Sequence, residues 1–183
     1  SRIHKVHEGL REEEFEPPDS WESVRGELGV PESHVLIGLV GRLVWWKGHD
    51  YFLEAAEIVR RSQRDVSFVI VGGADSTEPD YEAHLHRKAQ CLGLADCVHF
   101  TGYRPDARRY TAALDVAVLA SCLPEPGGRS VLEALALGKA CIATRAGGMP
   151  EYIGEDESAG LLVPMADPVA MAEAMNRLVE DRD

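Results

Sequence analysis

The sequence predicts an α/β domain built on a doubly wound parallel sheet, and three observations carry that prediction. Short, fully apolar, β-branched runs alternate with stretches that repeat apolar residues at helical spacing. Strands that are apolar on both faces belong to parallel sheets covered by helices on both sides. Glycine closes most of these runs, as expected where a strand passes into a turn. With 183 residues, 45% of them apolar and 27% charged, the chain can bury one core without disulfides or metal, so a single domain over residues 1–183 is expected.

The segment 11–31 is charged and contains proline, and it reads as chain running over the surface, with Ser20 and Ser23 offering a weak cap for a short helix over 21–28. Val35–Val40 is the first strand, ending in Gly41, and 51–59 follows as a helix with Tyr51, Phe52, Ala55, Ala56, Ile58 and Val59 on its apolar side. Val66–Val71 is the next strand, closed by Gly72-Gly73, and 81–92 is a helix ending at Gly93. Residues 98–101 form a short strand closed by Gly102, 106–114 a helix, and Val116–Leu119 a strand. A helix over 131–137 stops at Gly138, and the strand Ala140–Thr144 leads into Gly147-Gly148. Leu161–Val163 is a last strand and 168–179 a last helix. Sheets of this kind bind ligands at the carboxyl ends of their strands.

The net charge of −12 disfavours nucleic acid and anionic lipid as partners of this domain. Glu12-Glu13-Glu14 and Glu155-Asp156-Glu157 read as solvated acidic loops. An anionic ligand would therefore need a few focused cations. Cys91, Cys97, Cys122 and Cys141 lack metal-ligand spacing and read as reduced thiols of a cytoplasmic protein. No signal peptide or membrane span is visible, and the start at Ser1 suggests a fragment or a processed product.

Two features carry chemistry. In Gly41-Arg42-Leu43-Val44-Trp45-Trp46-Lys47-Gly48, two cations flank the loop after the first strand, close to a helix entry. Either both face the ligand crevice near a positive helix end, or Arg42 pairs with a carboxylate and Lys47 is solvated; spacing leaves both open. In Pro124-Glu125-Pro126-Gly127-Gly128-Arg129-Ser130-Val131-Leu132-Glu133, two glutamates flank a glycine-rich helix entry whose free N–H groups suit an anion. Ser130-x-x-Glu133 also matches a capping box, in which both side chains only close the helix. The Rossmann Gly-x-Gly-x-x-Gly fingerprint is absent after the first strand, which counts against a dehydrogenase.

Gly41-Arg42-Leu43 with Lys47-Gly48, Glu125-Pro126-x-Gly128 through Glu133-Ala134, Val69-Ile70-Val71-Gly72, Phe100-x-Gly102, Asp115-Val116 and Gly147-Gly148-x-Pro150-Glu151 stand in one order along the chain. Over nearly its whole length the sequence resembles the carboxy-terminal, donor-binding domain of GT-B retaining glycosyltransferases, the glycosyl transferases of group 1. That resemblance implies a Rossmann-like domain, one half of a GT-B fold, that binds a nucleotide-diphosphate sugar and supports hexosyl transfer with retention of anomeric configuration. It implies catalytic roles for Arg42 and Lys47, which would neutralise the departing diphosphate, and for Glu125, which would contact the transferred sugar. Donor binding would fall to Gly41, to Gly127, Gly128, Arg129, Ser130 and Val131 around the diphosphate, to Glu133 at the ribose, and to Tyr103 and Arg104 beside the base. No metal or other cofactor is implied.

The family usually has an aromatic residue where Gly127 stands, which suggests a looser loop, and Trp45-Trp46 either covers the crevice or packs. Val6 to Leu10 resembles the start of the family's second domain, so the amino-terminal acceptor domain is expected to be absent, leaving donor binding with little or no transfer. Membrane contact of a longer, peripheral parent would not run through this domain. Other readings are a noncatalytic nucleotide-sugar-binding module and another GT-B enzyme such as a sugar-nucleotide epimerase. Among the histidines, His49 reads as a surface or capping residue, and His84, His86 and His99 attract no role.

Overall fold

The computed structural model describes residues 9–181. The resemblance noted for Val6 to Glu8 lies outside the described residues. Six strands, β1 (Val35–Val40), β2 (Val66–Val71), β3 (Val98–Phe100), β4 (Val116–Leu119), β5 (Ala140–Thr144) and β6 (Leu161–Val163), form one sheet in the order β3-β2-β1-β4-β5-β6. Every neighbouring pair is parallel; β1 runs beside β2 from Val35↔Val66 to Val40↔Val71 and beside β4 at Ile37↔Val116.

Seven helices cover the sheet: α1 (Ser23–Leu28), α2 (His49–Ser62), α3 (Tyr81–Cys91), α4 (Ala107–Ala113), α5 (Arg129–Ala136), α6 (Met149–Ile153) and α7 (Pro168–Glu180). Alternation along β1 shows how they divide. Val35, Ile37 and Leu39 pack with Phe52 and Val59 of α2, Leu85 of α3 and Met171 and Met175 of α7. Leu36 packs with Val24 of α1, Tyr110 of α4, Val131 of α5 and Ile153 of α6. Successive residues of a strand point to opposite faces, so a strand apolar throughout needs a core on each side. Among the described residues no helix is long and apolar enough to cross a membrane.

The expected boundaries shift at several places. The first helix covers only Ser23–Leu28; Ser20 does not cap it, and the Ser23 hydroxyl instead donates to the Ser20 carbonyl (2.9 Å). Segment 11–31 is not simply surface chain. It carries a 3₁₀ turn at Glu12–Phe15, and Val24, Val30 and Glu14 are buried, so the acidic run at 12–14 is not wholly solvated. Arg108 and Arg109 hold this segment down by donating to the carbonyls of Glu16 (2.5 Å) and Ser20 (3.0 Å). The helix α2 begins at His49, two residues before the apolar pattern does. The helix α6 was not expected after Gly147-Gly148; its Pro150 sits in the first turn, where the missing N–H costs nothing.

The order of the strands places β1 and β4 side by side although their connections leave in opposite directions. Such a switch point leaves a crevice between the two outgoing loops.

Candidate functional site

The loop leaving β1 is anchored first on the β2 side, where the amides of Gly41 and Leu43 donate to the carbonyls of Val71 (2.9 Å) and Gly73 (3.1 Å). It then makes a 3₁₀ turn at Trp45–Lys47 and enters α2 through Gly48, whose φ is +76°. A Cβ at Gly48 would lie 1.9 Å from the Ala120 carbonyl oxygen. Only glycine permits this left-handed turn pressed against the end of β4.

That close approach sends Lys47 across the switch point. Its ammonium meets Glu125 Oε2 at 2.7 Å, in the loop between β4 and α5, and lies 4.8 Å from the Trp46 ring centroid. The Ser121 hydroxyl donates to the other carboxylate oxygen of Glu125. Ser121 is itself held, since the Thr144 hydroxyl donates to its carbonyl at 2.9 Å. The Gly148 amide donates to the Glu125 carbonyl (2.9 Å), and Gly147, at φ +59°, passes so close that a Cβ would be 1.9 Å from that same oxygen. The Lys47 and Glu125 side chains are only 17% and 10% exposed. A pair so withdrawn from water persists when each partner's remaining bonds are satisfied, as Ser121 does here.

Arg42 turns the other way, to Asp75 in the loop after β2 (2.8 Å), and is 66% exposed. Asp75 is fixed by the hydroxyl (2.7 Å) and amide (3.0 Å) of Thr77, which with Arg42 hold its carboxyl below the usual range. Of the two arrangements left open by spacing, the pairing with a carboxylate is the one Arg42 adopts. Each already has a carboxylate, because β1 delivers them to flanking loops on its two sides. Lys47 is not solvated either.

The helix α5 starts at Arg129, with Gly128 as its N-cap and no side chain capping its first turn. Ser130 lies inside the helix, so it forms no capping box with Glu133. Glu133 instead pairs with Arg129 Nε (2.8 Å), and the Nη2 of Arg129 meets Glu14 (2.5 Å). Val131 lies on the buried face of α5. The loop through Gly127 is held at Glu125, whose carbonyl accepts from Gly148, and runs into α5 at Arg129. Tyr103 is 79% exposed beside Gly73, whereas Arg104 lies over the Tyr110 ring (5.3 Å) and lines a groove along β3 with Glu27 and His86, away from Lys47 and Glu125. Trp45 is exposed, and its amide donates to Glu78 (3.0 Å).

His49, expected at the surface, is fully buried behind Lys47, and among the described residues neither ring nitrogen makes a hydrogen bond of ordinary geometry. Burial pushes its pKa down to about 4. Its neighbour Asp50 joins α2 to α3: burial would raise its carboxyl, but hydrogen bonds from Lys88 (2.8 Å), His84 (2.7 Å) and Tyr81 (2.8 Å) outweigh that and lower it. Sequence reasoning missed Ser121, Asp75, His49 and Glu14. A polar residue at each strand end was the available signal for Ser121 and, one turn later, for Asp75. Nothing in the sequence marked Glu14, whose partner is 115 positions away.

A separate cavity of about 560 Å³ lies at the amino ends of the strands, around the Arg25–Asp115 pair and Lys139. It is remote from the switch point.

The profile of the family described as glycosyl transferases group 1 matches residues 34–181. The D-inositol 3-phosphate glycosyltransferase of Corynebacterium jeikeium is 37% identical over 99% of this chain and 44% of its own length. The chain thus spans about half the length of the curated relatives it matches. Among solved structures, Anabaena HepE in complex with UDP and glucose superposes with a TM-score of 0.87 at 30% identity, over 97% of this chain and 47% of that one. The carboxy-terminal domain of LpcC, a group 1 glycosyl transferase of Francisella tularensis, superposes with a TM-score of 0.82 at 30% identity, over 95% and 89% respectively.

Proposed function

The chain belongs to the glycosyl transferases group 1 family, and from that premise we propose that it is the donor-binding half of a retaining GT-B enzyme, holding a nucleotide-diphosphate sugar for transfer to an acceptor on a preceding domain. The observation that carries this reading is the Lys47–Glu125 pair at the β1/β4 switch point, beside the uncapped start of α5. A cation, a carboxylate that can accept from sugar hydroxyls and a positive helix end together suit a nucleotide-diphosphate sugar. The UDP-bound HepE, similar in fold, supports the ligand class.

Breaking the anomeric bond builds negative charge on the diphosphate and positive charge on the sugar. Lys47, on leaving Glu125, and Arg42, on leaving Asp75 and swinging back toward β4, engage the diphosphate and stabilise the first of these. Removing one such preorganised group typically costs ~10²–10³ in rate. The α5 backbone from Gly128 to Val131 holds the phosphates, and Glu133 accepts from the ribose hydroxyls. Glu125, released by Lys47, accepts from hydroxyls of the transferred sugar. Attack on the face the diphosphate leaves retains configuration without a carboxylate nucleophile, unlike a retaining glycosidase.

The test is a calorimetric titration of the chain with UDP-, GDP- and ADP-sugars in the presence of EDTA. One nucleotide class is expected to bind below millimolar concentration, and Lys47→Met to abolish that binding. No binding by any of them at millimolar concentration would remove the reading.

A further inference from the structure

Glu14 is not placed like a surface loop carboxylate. It is buried, and both of its oxygens are engaged: the Arg11 amide donates to Oε2 (2.8 Å) and Arg129 Nη2 to Oε1 (2.5 Å). The Arg11 amide bond and the Arg129 charge hold its carboxyl below the usual range. The same guanidinium reaches Glu133 Oε1 through Nε (2.8 Å). One rigid cation thus spans two carboxylates, one from the segment that precedes the sheet and one from α5. A guanidinium is planar, so fixing Nη2 fixes the direction of Nε. The segment carrying Glu14 is itself strapped down, with Arg108 Nη2 donating to the carbonyls of Glu13 (3.1 Å) and Glu16 (2.5 Å).

We propose that Glu14 is a positioning residue for ribose recognition: acting through Arg129, it holds the Glu133 carboxylate with Oε1 engaged and Oε2 turned over to the ribose hydroxyls. This rests on the reading of Glu133 as the ribose acceptor. Without Glu14, Arg129 regains its rotamers and Glu133 loses its fixed partner, so ordering of both side chains must accompany binding. Freezing such side chains at the moment of binding weakens affinity about three- to tenfold.

The experiment titrates the chain with UDP, GDP and ADP and with their 2′,3′-dideoxy counterparts, using the nucleotide that the unaltered protein binds. Glu14→Gln is expected to weaken the ribonucleotide about three- to tenfold and to leave the dideoxynucleotide unchanged. Glu14→Asp, which keeps the charge and shortens the reach to Arg129, is expected to show the same selective loss and serves if Glu14→Gln does not fold. Adding Glu14→Gln to Glu133→Gln is expected to be no worse than Glu133→Gln alone, as for residues acting in series. An equal loss for both nucleotides, or no loss for either, overturns the positioning role. The reading of Glu133 is judged separately: if Glu133→Gln leaves the preference for ribose intact, that reading fails; if it removes the preference while Glu14→Gln and Glu14→Asp do not, only the role of Glu14 fails.

Discussion

His49 ties the acid stability of the domain to one imidazole. In the unfolded chain a histidine titrates near 6.5, and in the folded protein burial lowers this one to about 4. Between those values the unfolded state binds a proton that the folded state refuses, so stability falls as pH drops from about 6.5 towards 4 and levels off below. At about 1.36 kcal/mol per pH unit the full shift corresponds to about 3 kcal/mol, of which about 2 kcal/mol is lost between pH 7 and pH 5. His49→Leu removes this contribution and leaves the other histidines in place. Urea unfolding of both proteins at pH 7 and pH 5 isolates it, because every other titrating group contributes to both and cancels. The variant is expected to lose about 2 kcal/mol less than the parent over that interval. Equal losses would mean that the ring is protonated or hydrated in the folded protein and that its burial carries no such penalty.

Three further outcomes follow from the geometry. Lys47→Met leaves Glu125 withdrawn from water with Ser121 as its remaining side-chain partner, and is expected to lower stability by on the order of 3 kcal/mol; adding Glu125→Gln should restore most of it in denaturant titrations. Gly147→Ala forces a left-handed residue against the Glu125 carbonyl and should cost more than Gly93→Ala, whose φ of +70° faces open space and which carries only about 1–2 kcal/mol of backbone strain. Lys139 is half-buried over the Trp21 ring (5.2 Å), and burial lowers its pKa, whereas Lys47 and Lys88 are each bound to carboxylates. Brief treatment with an amine-reactive ester near pH 8, followed by peptide mass spectrometry, should find Lys139 modified before either.

The strands could be read because each is apolar on both sides, a signal local to five or six residues. Val35–Val40 and Val66–Val71 have the same bounds in sequence and structure. Helix starts were harder. Ser130-x-x-Glu133 has the letters of a capping box, yet Gly128 caps α5, because the tight packing of Gly128 against Met149 begins the helix two residues earlier. The sequence also marked Arg42 and Lys47 as cations after a strand end, and Glu125 and Glu133 as carboxylates flanking a helix entry. Arg42 meets Asp75 and Lys47 meets Glu125 from other loops, as Arg129 meets Glu14, and a partner set by tertiary packing leaves no trace in local spacing. His49 was misjudged for a related reason: a polar letter beside Lys47-Gly48 looks solvated until Gly48 presses the turn onto β4.

The seam between β1 and β4 has a kinetic consequence. The residues paired there lie more than twice as far apart in sequence as those paired between β1 and β2. Closing the longer loop costs more entropy and comes later in assembly. A chain refolding from denaturant would recover helical signal and the β1–β2 edge before it had any crevice to offer. Ligand added during refolding would therefore report the last event, the zipping of the two halves, and would stabilise only molecules that had completed it.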